Sequence, residues 1–270
     1  ANTLASEVDM QIADSGFVEV GYSRRVGGSS VGRLYLTNAS ILGNGIRMNV
    51  GTASFDAIPG DTTLYADGVV NVTNGDIQTR RLEVGSVFQQ GGDASGVLNL
   101  TNGNLIATGT SGNLSVGSVV QESPGSATGD VTITNGSIEN FAAIDIGSAG
   151  NAGFASGRLG LINSSVSLVD VGWVTVGSSV NTSGVLDLDS SHMRAERLDL
   201  NATGVVNMTV NGLTRASESL VGPGTYSAID LGAMGEAGGS IRIDLGGLEF
   251  TTKATIDQIT LDVGNDFSCS

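Results

Sequence analysis

The densest group of side chains capable of proton chemistry lies in one short stretch. Asp187, Asp189, His192, Arg194, Glu196, Arg197 and Asp199 surround the only histidine of the chain. Carboxylates next to an imidazole can move protons in general acid–base catalysis, and paired carboxylates can cleave glycosidic bonds. The same residues also suit an exposed, irregular bend, so a catalytic and a purely solvated reading both stand. A second set of acids recurs along the chain as Glu19, Glu83, Asp145, Asp199, Asp230 and Asp262. If Asp199, Asp230 and Asp262 stack on successive layers about 4.8 Å apart, they can share a calcium ion through oxygen ligands. The alternative is a solvated acidic face. Either outcome depends on the elements that carry these residues.

Those elements repeat. The pattern apolar-x-apolar-Gly begins at Val18, Met48, Leu82, Leu114, Ile144, Val174, Leu198, Ile229 and Leu261, at intervals of 30, 34, 32, 30, 30, 24, 31 and 32 residues. It places Gly21, Gly51, Gly85, Gly117, Gly147, Gly177, Gly232 and Gly264 at equivalent points, with Asn201 replacing glycine in one copy. Interleaved with it is Gly-x-apolar-x-apolar-Thr-Asn, seen at Gly32–Asn38, Gly68–Asn74, Gly96–Asn102 and Gly129–Asn135. A third, shorter apolar site follows at Ile41, Ile77, Leu105, Ile138 and Val166. Period-2 alternation of this kind marks strands, and a fixed repeat of about 30 residues marks stacked coils.

The expected fold is therefore all-β: a single-stranded parallel β-helix, or β-solenoid, of about nine coils with three short strands each. It is expected to be right-handed from the bias of parallel crossovers. The glycines are expected to turn corners at positive φ. Asn38, Asn74, Asn102, Asn135 and Asn163 are expected to form an Asn ladder along one corner. Residues 17–270 read as one solenoid domain, and residues 1–16 as an N-terminal arm or cap that can also act as a donated strand.

Composition limits the partners. Twelve Lys and Arg against 27 Asp and Glu give a net charge of −15, and Lys253 is the only lysine. Such a surface repels nucleic-acid phosphates, and no apolar run is long enough to cross a membrane as a helix. Cys269 is the only cysteine, so a disulfide framework within the chain is excluded. The first residues lack a basic and then apolar leader, so an exported protein is expected to have lost its signal peptide.

Gly96–Leu105 (GVLNLTNGNL), Leu114–Ser118 (LSVGS) and Gly129–Ile138 (GDVTITNGSI) resemble the repeats of bacterial autotransporter passengers and PEP-CTERM-associated β-solenoid proteins. Leu220–Ile229 with Gly238–Ile241 resembles the end region of such proteins. The resemblance implies export to the bacterial cell surface or beyond. Polysaccharide lyases and hydrolases with β-helices share the expected architecture, but the Gly-His-Gly and Asp-Asp motifs of the hydrolases do not occur here. The expected function is non-enzymatic: an extracellular structural protein, a filament or surface-layer subunit. Its partners are copies of itself stacked head to tail, with no cofactor other than the calcium considered above. The competing expectations are a monomeric adhesin or passenger stalk that meets surface glycans, and a polysaccharide-active enzyme.

Overall fold

The structure is a computed structural model that describes residues 2–5, 10–11, 16–23, 28–54, 64–88, 92–120, 125–150, 153–169, 172–209, 228–237 and 240–244. It is an all-β parallel solenoid. The chain starts with β1 (Asn2–Ala5), β2 (Met10–Gln11) and β3 (Phe17–Ser23). Regular coils follow: β4 (Ser29–Thr37), β5 (Ile41–Leu42), β6 (Arg47–Ser54); then β7 (Tyr65–Thr73), β8 (Ile77–Thr79), β9 (Arg81–Phe88). The next are β10 (Asp93–Thr101), β11 (Asn104–Ala107), β12 (Asn113–Val120); then β13 (Ser126–Thr134), β14 (Ser137–Glu139), β15 (Ala143–Ala149). β16 (Phe154–Ile162), β17 (Ser165–Ser167) and β18 (Trp173–Val176) complete the regular part. Beyond it lie β19 (Thr182–Asp189), β20 (His192–Leu200), β21 (Gly204–Thr209), β22 (Ala228–Ala237) and β23 (Ser240–Asp244).

The three-strand coil is regular from β4 to β18, five turns, which differs from the nine such coils expected. After β18 the second and third strands fuse into β20, which pairs with both β17 and β18. A nine-stranded sheet contains the first strand of each coil, in the order β1, β4, β7, β10, β13, β16, β19, β21, β23. The second and third strands share a 14-stranded sheet. Residues 2–5 and 10–11, within the expected arm, pair with this chain's own β4 and β5 as strands β1 and β2.

Strands this short persist because each pairs in parallel with its equivalent one coil away, so identical positions form files along the axis. Leu36, Val72, Leu100, Ile133, Leu161 and Leu188 make one inward file, and Val50, Val84, Val116, Ile146 and Val176 another, all essentially buried. Together with the second-strand file Ile41, Ile77, Leu105, Ile138 and Val166 they form one continuous core.

The corners are set by backbone geometry. Gly21, Gly51, Gly85, Gly117, Gly147 and Gly177 have φ between 59° and 67°, in the left-handed region. At each the chain bends toward the nine-stranded sheet, and a β-carbon on Gly96 would lie 2.2 Å from the Gly85 amide nitrogen. The two sheets thus meet backbone to backbone along a glycine seam. Beyond the seam Ala53, Leu64, Ala66, Val87, Ala94, Val119, Ala127 and Ala155 make a second, smaller core. The cross-section has two lobes.

At the opposite corner Asn38, Asn74, Asn102, Asn135 and Asn163 have φ of 48–54°. The side-chain amide of each donates to the side-chain carbonyl of the one before, at 3.0 Å from Asn74 to Asn38, 2.9 Å from Asn102, 3.1 Å from Asn135 and 2.7 Å from Asn163. The ladder holds each corner by the same bond that joins neighbouring coils, and asparagine is among the few residues that tolerate this φ.

Two glycines fall elsewhere. Gly232 is not in the corner file: Leu231 pairs with Ala195 and Ala233 with Arg197, which sets Gly232 opposite Glu196 rather than beyond Asn201. Second and third strands share the same apolar alternation, so the motif alone does not say which strand it occupies. Gly264 lies outside the described residues. Among the described residues no helix occurs, and so none long and apolar enough to cross a membrane.

Candidate functional site

The third strands present two parallel files on their outer face, two residues apart and therefore on the same side. One reads Phe17, Arg47, Arg81, Asn113, Ala143, Trp173, Arg197. The other reads Glu19, Asn49, Glu83, Ser115, Asp145, Thr175, Asp199. In the second file acids alternate with neutral hydrogen-bonding residues. Carboxylates are thereby two coil steps apart, about 9.6 Å, which relieves the repulsion that neighbouring acids would suffer.

This register corrects the expected calcium ladder. Asp199 stacks on Thr175, whereas Asp230 pairs with Arg194, on the second-strand half of β20. Asp262 lies outside the described residues. Asp199 and Asp230 therefore belong to different files, for the same reason that Gly232 leaves its corner. Among the described residues no group of three or more His, Cys, Asp or Glu is placed to hold a metal.

The residues around His192 are distributed over both sheets. Asp187 and Asp189 alternate with buried Leu186 and Leu188 on β19, in the nine-stranded sheet. His192 and Arg194 begin β20, stacked on Ser165 and Ser167, and Arg197 and Asp199 end it on the third-strand face. Asp187 takes part in a network between coils. It accepts from Arg158 Nε at 2.6 Å and from Asn207 Nδ2 at 2.7 Å, and Arg158 also lies 3.6 Å from Asp130. Arg158 drapes over Gly160, the one position of its file without a side chain. Arg197 Nε donates to Asp199 at 2.7 Å. The Asp187 and Arg158 contacts tie coil to coil, whereas the Arg197–Asp199 pair lies within β20.

Glu83 departs most from its expected place on an open acidic face: only 2% of it is exposed. The bend at Gly85 folds Ser86 back over it, and the Ser86 hydroxyl donates to Glu83 Oε2 at 3.0 Å. Because that hydroxyl has a single proton, the Ser118 hydroxyl 3.0 Å away donates to Ser86 in turn. Arg81 Nε donates to the other carboxylate oxygen, and the Arg81 guanidinium lies over the Phe88 ring, 5.4 Å from its centre. Burial pushes the Glu83 carboxyl above its usual range, against the pull of Arg81 and Ser86 in the other direction. Burial likewise raises Asp145, opposed by hydrogen bonds from Thr175 and Asn113.

A pH dependence follows. A carboxyl with a raised pKa binds its proton more tightly when folded, so its favourable contribution is present at low pH and lost as pH rises through the raised value. Ionising Glu83 puts a charge where burial penalises it, and its partner Arg81 is itself about one-third exposed. Glu83→Gln is expected to raise Tm at pH 7 by roughly 2–4 °C, the shift that about 1 kcal/mol produces in a chain of this size. It should also flatten the rise in stability on acidification. Thermal melts of both proteins from pH 4 to 8 check this, and a lower Tm for Glu83→Gln at pH 7 would refute it.

Between Asn113 and Trp173 the first file carries only Ala143, which is buried, while Trp173 is 43% exposed. Asn113 Nδ2 donates to Ser115 Oγ at 3.1 Å and the amide also bonds Asp145, leaving Asn113 Oδ1 buried without a hydrogen-bond partner. The register sets Asn113 and the half-exposed Trp173 on either side of Ala143, with Asp145 and Thr175 in the adjoining file. Alternation does not show the burial of Glu83, because it arises from the bend at Gly85, which carries Ser86 onto the carboxylate, and from Arg81 beside it. Alanines two residues before Gly68, Gly96, Gly129 and Gly157 were a usable signal for the second lobe. Compared with family models, with curated proteins and with solved structures, the chain gives no significant match.

Proposed function

We propose that the protein is an extracellular, non-catalytic structural subunit whose coils stack end to end into filaments or a surface layer. The observation that supports this reading is the equivalence of coils. In the nine-stranded sheet each residue pairs with its counterpart one coil away, as in Asp93 to Tyr65 through Thr101 to Thr73. The edge of any coil is therefore a template for any other, and the amides and carbonyls on it are matched by a second copy in the same register. A head-to-tail contact of this type does not close on itself, so it propagates. A surface with net charge −15 opposes random side-to-side clumping and leaves the axial contact as the favoured one.

Sedimentation velocity from 1 to 100 times a dilute stock, with electron microscopy of the same samples, tests the reading. The expected result is a concentration-dependent shift to longer particles of constant width. Short single rods at every concentration would reject assembly and favour the monomeric stalk.

A further inference from the structure

We infer that β1 is a displaceable cap, and that in a joint between copies β23 of a second molecule takes its place along β4. The inference rests on the end-to-end reading above and names the strands that meet. β1 pairs only with Leu34–Thr37. It leaves Ser29–Arg33 without a partner on that side among the described residues, and this stretch borders a groove of about 480 Å³ with Val18–Tyr22 of β3. The open side is a pairing edge. The Gly28 carbonyl accepts from the Tyr65 amide on β7, and since directions alternate along a strand, Ser29, Val31 and Arg33 turn their amides and carbonyls the other way.

The cap matches β4 poorly where it does pair. Along the file that begins at Leu34, Val70, Leu98, Val131 and Leu159 are at most 1% exposed, whereas Leu34 itself is only partly buried. The residue at its register position on β1 is polar, Asn2. β23 carries the apolar residue that β1 lacks. Ser240–Asp244 pairs with Val205–Thr209, whose files run back through the sheet to Arg33–Thr37, so the same register against β4 sets Ile241 at Leu34 and Ile243 at Leu36. It sets Ser240 at Arg33, Arg242 at Tyr35 and Asp244 at Thr37, with no like charges opposite. Charge orients the joint. Residues 1–81 hold six of the 12 Lys and Arg and eight of the 27 acids, which leaves 82–270 with 19 acids against six basic residues. Two C-terminal ends repel each other, whereas the near-neutral N-terminal end accepts an acidic one.

A cross-link reads the exchange directly. In a Cys269→Ser background, chains with Tyr35→Cys are mixed with chains carrying Arg242→Cys and oxidised with glutathione disulfide. Directly opposed residues of neighbouring parallel strands lie about 4.8 Å apart, within reach of a disulfide. Thr37→Cys in place of Tyr35→Cys moves the partner to about 8 Å and serves as the out-of-register control. The expected result is a reducible dimer with the first pair and about tenfold less with the control. Removal of residues 1–5 should raise the yield, and Asn2→Ile, which gives the cap an apolar residue at the Leu34 file, should lower it about tenfold. Circular dichroism verifies that each variant is folded. No dimer from the truncated chain, equal yields from both pairs, or a yield that neither Asn2→Ile nor the truncation alters would each overturn the proposal. Sedimentation of the chain without introduced cysteines reports filament length separately. Long particles without the in-register cross-link reject the exchange and keep the filament reading; short single rods reject that reading, and the dimer yield then still decides whether β23 displaces β1.

Discussion

Gly85→Ala is expected to destabilise the protein by about 4 kcal/mol, combining ~1–2 kcal/mol for a non-glycine residue in the left-handed region with the ~1–3 kcal/mol typical of overpacking. The φ of Gly85 is 61°, and a β-carbon there would lie 1.8 Å from the Thr128 carbonyl oxygen and 2.8 Å from the Gly129 nitrogen. Those atoms belong to the backbone of β13, held in register with β10 and β16, so they cannot yield as a side-chain tip would. Gly109→Ala separates the two causes. Its φ is 89°, but nothing lies within 4 Å of the added atom, so only the conformational cost remains. Chemical denaturation of the two variants checks the ordering. Equal losses for both would show that the glycine seam is not a close contact between sheets.

That contrast also shows what the sequence reveals and what it conceals. Equivalent positions recur every 30 residues or so, and the physics of parallel pairing then leaves few ways to arrange them, so the solenoid is legible from Val18 onward. The corner conformations of Gly85 and Asn102 are legible too, because each type is selected for a φ that few residues adopt. Register between coils is less so. Met193-Arg194-Ala195 and Leu198-Asp199-Leu200 both satisfy the alternation to which Ile229-Asp230-Leu231 belongs, and only the pairing of β22 with β20 decides for the first. Polar positions are hidden for a different reason. Glu83 stands where alternation places an outward residue, yet a bend two residues later carries Ser86 onto it and Arg81 meets Phe88 above. Burial of such a group depends on backbone direction after the motif. Alternation does not encode that. Trp173 is conspicuous as a residue type, but its neighbours along the file, Ala143 and Asn113, stand 30 and 60 positions earlier in the chain and one and two coils away in space.

Leu100→Ala is expected to cost 2–5 kcal/mol, the range for a fully buried leucine, and to do so locally. Leu100 pairs with Val72 in one direction and Ile133 in the other; the next members of the file, Leu36 and Leu161, are two coils away. In a stack whose coils interact only with their neighbours, stability is a sum of coil terms and interface terms. The cavity therefore weakens the two interfaces that flank β10, while those between β16, β19 and β21 keep their own contacts. Hydrogen exchange followed by mass spectrometry should show faster exchange of amides in β7, β10 and β13, with protection in β19 and β21 unaltered. Uniform loss of protection along the whole chain would mean that the solenoid opens as one unit. The same cavity would then have to be felt through the parallel backbone pairing, the glycine seam and the Asn ladder, which join neighbouring coils besides the apolar files.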